Sequence, residues 1–187
     1  MPRKRAARSN QRAGGFPQRV NGVTPAPMFD LAFTRGDPAQ TWAEICDAAD
    51  AITAGEADAI ANMANIAAIL WQALGDINWA GFYRFDGREL VLGPFQGKAA
   101  CIRIPLNKGV CGRAAASRTS QCVADVYAFP GHIACDAASR SELVVPISDG
   151  DRLIGVIDID SPRPGRFSAA DQAGAEALVA RIARRLG

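Results

Sequence analysis

Ile77-Asn-Trp-Ala-Gly-Phe-Tyr-Arg-Phe85, then Asp86-Gly87, then Arg88-Glu-Leu-Val-Leu-Gly-Pro-Phe95, is the stretch where the hydrophobic period of this chain changes. Apolar and small residues alternate on both sides of an Asp-Gly pair, which is a strong short-range signal for a β-hairpin. Strands are therefore expected over Ile77 to Phe85 and Glu89 to Phe95. Upstream the period is helical. Asp37-Pro38 supplies a capping side chain followed by proline at the first helical position. Trp42, Ile45, Cys46, Ala49 and Ile52 then keep helical spacing up to Gly55. A second helix is expected from about Glu56 to Leu74, with Ile60, Met63, Ala67, Leu70 and Leu74 inward and Gly75 as its stop.

Downstream, Cys101 to Ile104 reads as a short strand, Pro105 to Gly109 as a loop and Val110 to Arg118 as a helix. Gln121 to Val126 reads as a brief strand and Tyr127 to Ser139 as an irregular loop punctuated by Gly and Pro. A second hairpin, Glu142 to Ser148 with Arg152 to Asp160, turns about Asp149-Gly150. The last helix runs from Ser168 to about Leu186, with a capping-box-like Ser168 and Asp171 and a stripe of Ala175, Leu178, Val179 and Ile182. Two helices, five or six antiparallel strands and a closing helix define an α+β domain with helices packed against one sheet.

The 187 residues, 49% apolar and 21% charged, suit one soluble domain with a sizeable core. Met1 to Pro27 holds Arg3, Lys4, Arg5, Arg8, Arg12 and Arg19 and no acid, so without those six charges the net +2 becomes −4. This leader, residues 1–27, has too few apolar residues for a core and is expected to be disordered, leaving 28–187 as the folded domain. A transit peptide or a nucleic-acid-binding arm is its lesser reading, and no nucleic-acid partner is expected. No apolar stretch reaches signal-peptide or membrane-spanning length. Five cysteines, an odd number, point to a reducing cytoplasm rather than a disulfide framework.

Cys46 lies on a helix's inward stripe and reads as a small hydrophobe, and Cys122 as incidental. Cys101, Cys111 and Cys135 all border loops, where functional groups concentrate. His132 and Cys135 have H-x-x-C spacing, but no C-x-x-C pair exists and the gaps match no usual zinc pattern, so no metal is expected. Asp158 and Asp160, two apart on a strand, share a face. A two-residue hairpin loop at Asp149-Gly150 would put Glu142 on the opposite face from them; a three-residue loop with Gly150 in a left-handed bulge would bring all three carboxylates together. Three close carboxylates repel, so one would keep its proton near neutrality. Trp79 and Tyr83 share a face of the first strand, either as pocket wall or as core. Thiols that can form a disulfide beside proton-donating carboxylates suggest thiol redox chemistry on a small polar substrate.

Asn78-Trp-Ala-Gly-Phe-Tyr83, Gly93-Pro-Phe-Gln-Gly-Lys98, Cys101-Ile-Arg-Ile-Pro105, Gly109-Val-Cys-Gly112, Gly131-His-Ile-Ala-Cys-Asp136, Ser141-Glu-Leu-Val-Val-Pro146 and Gly155-Val-Ile-Asp-Ile-Asp-Ser161 together resemble the free methionine-(R)-sulfoxide reductases, a catalytic branch of the GAF domains. The resemblance implies a single GAF-like domain that reduces free L-methionine-(R)-S-oxide. It implies Cys135 as nucleophile, left as a sulfenic acid, and Cys101 as the thiol that resolves it to a disulfide recycled by thioredoxin, with no bound cofactor. Cys111 is similar to a third family cysteine, whose role stays open between assisting resolution and serving as nucleophile. Glu142, Asp158 and Asp160 match carboxylates that hold the substrate's ammonium and sulfoxide oxygen. Trp79 matches the aromatic against its terminal methyl, and Tyr83 lines the same pocket. A homodimer is compatible with all of this. The competing reading is a non-catalytic GAF module that binds a small molecule as a sensor.

Overall fold

The computed structural model describes residues 31–131 and 137–187. The basic leader, and with it the expected boundary at residue 27, lies outside the described residues. Helix α1 (Pro38–Ile52) starts where Asp37 accepts hydrogen bonds from the Ala39 and Gln40 amides, with Pro38 in its first turn. Helix α2 (Ala59–Ala73) is capped by Asp58, whose side chain accepts from the Ala61 amide. Its buried face is Asn62, Met63, Ile66, Ala67, Ile69, Leu70 and Ala73. The expectation for Ile60 was wrong: in the first turn it is 44% exposed, because the stripe begins one position round the helix.

Six strands follow as β1 (Trp79–Phe85), β2 (Glu89–Gly97), β3 (Arg103–Pro105), β4 (Gln121–Val123), β5 (Ser141–Asp149) and β6 (Arg152–Ser161), with α3 (Gly109–Ser117) between β3 and β4. They form one antiparallel sheet in the order β3-β2-β1-β6-β5-β4. Helix α4 (Ala169–Ile182) opens with a full Ser168–Asp171 capping box and passes into a 3-10 turn at Ala183–Arg185. The α+β plan is borne out. Boundaries moved where backbone pairing ends: Cys101 lies in the loop before β3, and Val126 sits in a 3-10 turn rather than in β4.

Each sheet face has its own apolar cluster. Ala80, Phe82, Leu143, Val145, Ile157 and Ile159 pack with α1, α2 and α4, where Trp42 donates its indole N–H to Asp171 Oδ1 (3.1 Å). Trp79, Tyr83, Val144 and Val156 point the other way, toward Val110, Cys111 and Ala114 of α3. This second face carries the polar site.

The β5–β6 hairpin turns on Gly150-Asp151, with Asp149 paired to Arg152 and Gly150 at φ 57°. This corrects the expected loop position. A two-residue loop would place Glu142 opposite an odd-numbered residue. The register shifts between Ile147 and Ser148, however, leaving Ile154 as an extra residue in β6, and Glu142 comes opposite Asp160. Parity is restored by a strand bulge, not by a three-residue loop. Just past the bulge, Gly155 passes so close to β1 that a Cβ there would lie 2.1 Å from the Tyr83 carbonyl oxygen. Gly155→Ala is expected to cost about 1–3 kcal/mol through overpacking, read as a lower denaturation midpoint at unchanged m-value.

Candidate active site

Glu142 on β5 stands opposite Asp160 on β6, which stands opposite Trp79 on β1. In the next row on this face, Val144, Asp158 and Gly81 are opposite one another. Directly opposed residues have Cβ atoms about 5 Å apart and diagonal neighbours about 7–8 Å, so the three carboxylates share one patch of this face. Gly81 is bare for a steric reason: a Cβ there would stand 2.4 Å from Phe95 Cβ. Phe95 reaches that place because β2 is irregular opposite Gly81 to Tyr83.

The aromatic wall is built on β1 and β2. Trp79 stacks with Tyr83 (5.8 Å between centroids, 22°) and with Phe95 (5.2 Å, 12°). Its indole N–H donates to the Lys98 carbonyl at 3.1 Å, which fixes the ring against the chain segment after β2. Trp79, Tyr83, Asp158 and Asp160 line one cleft together with Lys98, Ala99 and Ala100.

Cys111 arrives from the far side of the site. It is the third residue of α3, whose first turn is pressed so tightly on the preceding loop that a Cβ on Gly112 would sit 2.3 Å from the Pro105 carbonyl oxygen. The thiol donates to Glu142 Oε1 at 3.7 Å. Cys111, Glu142 and Asp158 each bring one ligand atom within 4.8 Å of the others, and they are 3%, 7% and 6% exposed.

Burial dominates the electrostatics. It pushes the Glu142 carboxyl well above its usual range, and Asp158 and Asp160 beside it push it further. Asp158 is raised to about 6, again chiefly by burial, with the neighbouring Cys111 thiol, Glu142 carboxyl and Ile159 amide acting in the lowering direction. The first turn of a helix ordinarily lowers a thiol pKa. Here desolvation and the charges of Asp158 and Glu142 outweigh that, and Cys111 is pushed well up. The Tyr83 phenol is raised by burial, then by Asp158. The Glu142–Asp158 pair therefore holds a proton near neutrality, and one oxygen, Asp158 Oδ1, is buried with no hydrogen-bond partner.

Cys101 is partly buried and disulfide-bonded. Cys135 lies outside the described residues, as does His132. The described chain stops before them at Gly131, whose carbonyl accepts from the Gly109 amide at the start of α3 (3.2 Å), two residues before Cys111. Of the expected site residues, the structure thus brings together Trp79, Tyr83, Cys111, Glu142, Asp158 and Asp160. Cys46 is buried in the core, and Cys122 is exposed, its thiol donating to the Phe167 carbonyl. Sequence reading missed Phe95 and the Lys98 carbonyl. The signal for the first was Gly93-Pro94, a pair that breaks strand alternation and marks a bulge.

The fold and this pocket define a small α+β domain with a buried thiol–carboxylate site. Residues 57–186 match the GAF domain family. The chain is 52% identical over 137 residues to the free methionine-R-sulfoxide reductase of Escherichia coli, covering 73% of this chain and 83% of that one. The free methionine-R-sulfoxide reductase of Neisseria meningitidis, solved in complex with its substrate, superposes with a TM-score of 0.81 at 43% identity, covering 85% of this chain and 96% of the other. The reduced form of fRMsr from Staphylococcus aureus gives 0.75 at 47% identity over 78% and 95%. The chain belongs to the GAF domain family and, within it, to the branch of the free methionine-R-sulfoxide reductases.

The raised carboxyls make a signed prediction. An acid whose folded pKa lies above its unfolded one binds extra protons in the folded state, so its contribution to stability is lost as pH rises through that window. For Asp158 the window runs from the ordinary 3.8 to about 6. Asp158→Asn is expected to flatten the pH dependence of unfolding there and to raise stability relative to the native protein at pH 8, checked by denaturant titration at both ends.

Proposed function

We propose that this chain reduces free L-methionine-(R)-S-oxide to L-methionine, taking both electrons from its own thiols. The observation that carries the reading is the Glu142–Asp158–Asp160 cluster, a carboxylate group that combines a retained proton with negative charge beside an aromatic wall. Ionised oxygens hold the substrate's ammonium group; the protonated carboxyl donates to the sulfoxide oxygen as the S–O bond weakens; Trp79 faces the terminal methyl. A peptide-bound methionine sulfoxide lacks the free ammonium and is excluded.

Cys135 attacks the sulfoxide sulfur as thiolate. The oxygen passes to it, methionine leaves as the thioether, and Cys135 becomes a sulfenic acid. The Cys101 thiol then attacks that sulfur, releasing water and forming a disulfide, and the thioredoxin dithiol reduces it by exchange. Two thiol hydrogens and the sulfoxide oxygen leave as one water, so the step needs no bound cofactor. Two features support this division of labour. The Cys111 thiolate is disfavoured by burial and by two carboxylates, which leaves that thiol a poor nucleophile. Cys101 is disulfide-bonded, the state in which the second step would leave it. No helix among the described residues is long and apolar enough to cross a membrane, in keeping with action on a dissolved amino acid.

Methionine release is expected from the free (R)-sulfoxide with a thioredoxin recycling system, and not from the (S) form or from an N-acetylated substrate. Cys135→Ser should abolish it. Asp160→Asn is expected to raise KM by about 10- to 100-fold, the worth of a charged hydrogen bond. Turnover that survives Cys135→Ser and is lost in Cys111→Ser would move the nucleophile. No turnover by the intact reduced protein would leave a GAF module that only binds.

A further inference from the structure

Cys111, Glu142 and Asp158 come from three separate elements, α3, β5 and β6, and converge with one sulfur and two oxygen donors within 4.8 Å of one another. We propose that they form a binding site for a thiophilic divalent cation of the zinc class, and that the ion keeps out the substrate by occupying the carboxylates that would hold its ammonium group. The metal site stands on these three side chains alone; only its effect on turnover rests on the function proposed above.

The distances fit. With metal–sulfur and metal–oxygen bonds of about 2.3 and 2.1 Å, two ligands of a tetrahedral zinc ion stand about 3.6 Å apart. Cys111 Sγ and Glu142 Oε1 are 3.7 Å apart. The widest edge of the triangle, at most 4.8 Å, closes by rotation of the Asp158 and Glu142 carboxylates. The charges fit as well. Among the described residues neither Glu142 nor Asp158 makes an ion pair, although both are over nine-tenths buried. Such groups stay ionised only beside a counter-charge, and without one they keep a proton that a bound cation can displace. Asp158 Oδ1, buried without a hydrogen-bond partner, is a lone pair left over in the site.

The donor set selects the ion. One thiolate and two carboxylates suit zinc, cobalt or cadmium, whereas magnesium and calcium are hard cations that take oxygen ligands and gain nothing from the thiolate. Binding releases two protons to solvent, that of the Cys111 thiol and the one held by the Glu142–Asp158 pair, in exchange for the metal–sulfur and metal–oxygen bonds, and no electrons move. Cys101, disulfide-bonded here, offers no thiolate to this site.

The test uses the full-length protein with the Cys101 disulfide intact and cobalt(II) as probe. A thiolate-to-cobalt charge-transfer absorption is expected to saturate at one ion per chain, to be displaced by zinc and to resist excess magnesium. Cys111→Ser should abolish it. Glu142→Gln should weaken cobalt at least tenfold, with folding of each variant checked by near-ultraviolet circular dichroism; should Cys111→Ser not fold, Glu142→Gln carries the test. Cys122→Ser should leave the absorption unchanged. Loss in Cys122→Ser with retention in Cys111→Ser, or no saturable absorption, would overturn the proposal as adventitious binding at the exposed thiol. In the recycling assay, zinc should raise the apparent KM for the sulfoxide at unchanged kcat, reversibly with a chelator. Cobalt binding without any turnover would refute the reductase reading and keep the site; turnover without cobalt binding would refute the site alone.

Discussion

Glu142 and Asp158 lie buried on one face of the sheet with no lysine or arginine paired to either among the described residues. Two carboxylates in that position cannot both stay ionised, because taking each charge out of water costs several kcal/mol and their mutual repulsion adds to it. A proton, an ammonium group or a metal ion must complete the site. This demand also governs Cys111, whose thiol hydrogen is directed at Glu142 and whose thiolate would be a third charge in the same space. The aromatic stack of Trp79 with Tyr83 and Phe95 sharpens the effect by keeping water from one side. A cation-seeking pocket that can also lend a proton follows from burial more than from any special residue.

The carboxylates meet because of one extra residue. Ile154 shifts β6 by one position against β5, so Glu142 shares a face with Asp158 and Asp160 instead of pointing into the helical core. A second irregularity in β2 swings Phe95 onto Trp79 and over bare Gly81. Both lie on the strands flanking β1, which carries the aromatic wall itself. On the opposite face α1, α2 and α4 supply continuous apolar packing, which Ile154 itself joins and which supports such local departures.

Helix starts at Asp37 and Ser168, the existence of the β1–β2 hairpin (its loop falling on Gly87-Arg88, one residue past Asp86-Gly87) and the inward stripe of α4 were legible because each depends on contacts within a few residues. The pairing of Asp158 with Asp160 on one face was legible for the same reason. Ile60 was misjudged because a helix presents several neighbouring stripes, and only packing selects among them. The place of the β5–β6 turn was also misjudged, since Asp149-Gly150 and Gly150-Asp151 offer nearly the same turn chemistry.

Composition, capping and alternation thus determined by themselves an α+β chain with its helices, strands and candidate thiols and acids in order. Tertiary structure alone decided that Glu142 joins the two aspartates, that Cys111 of α3 is pressed against them, and that burial pushes the Asp158 carboxyl up. The physical reason is one of range. Caps and periodicity are local free energies written in adjacent residues, whereas register across a bulge and the desolvation of a carboxyl depend on groups brought together from distant parts of the chain.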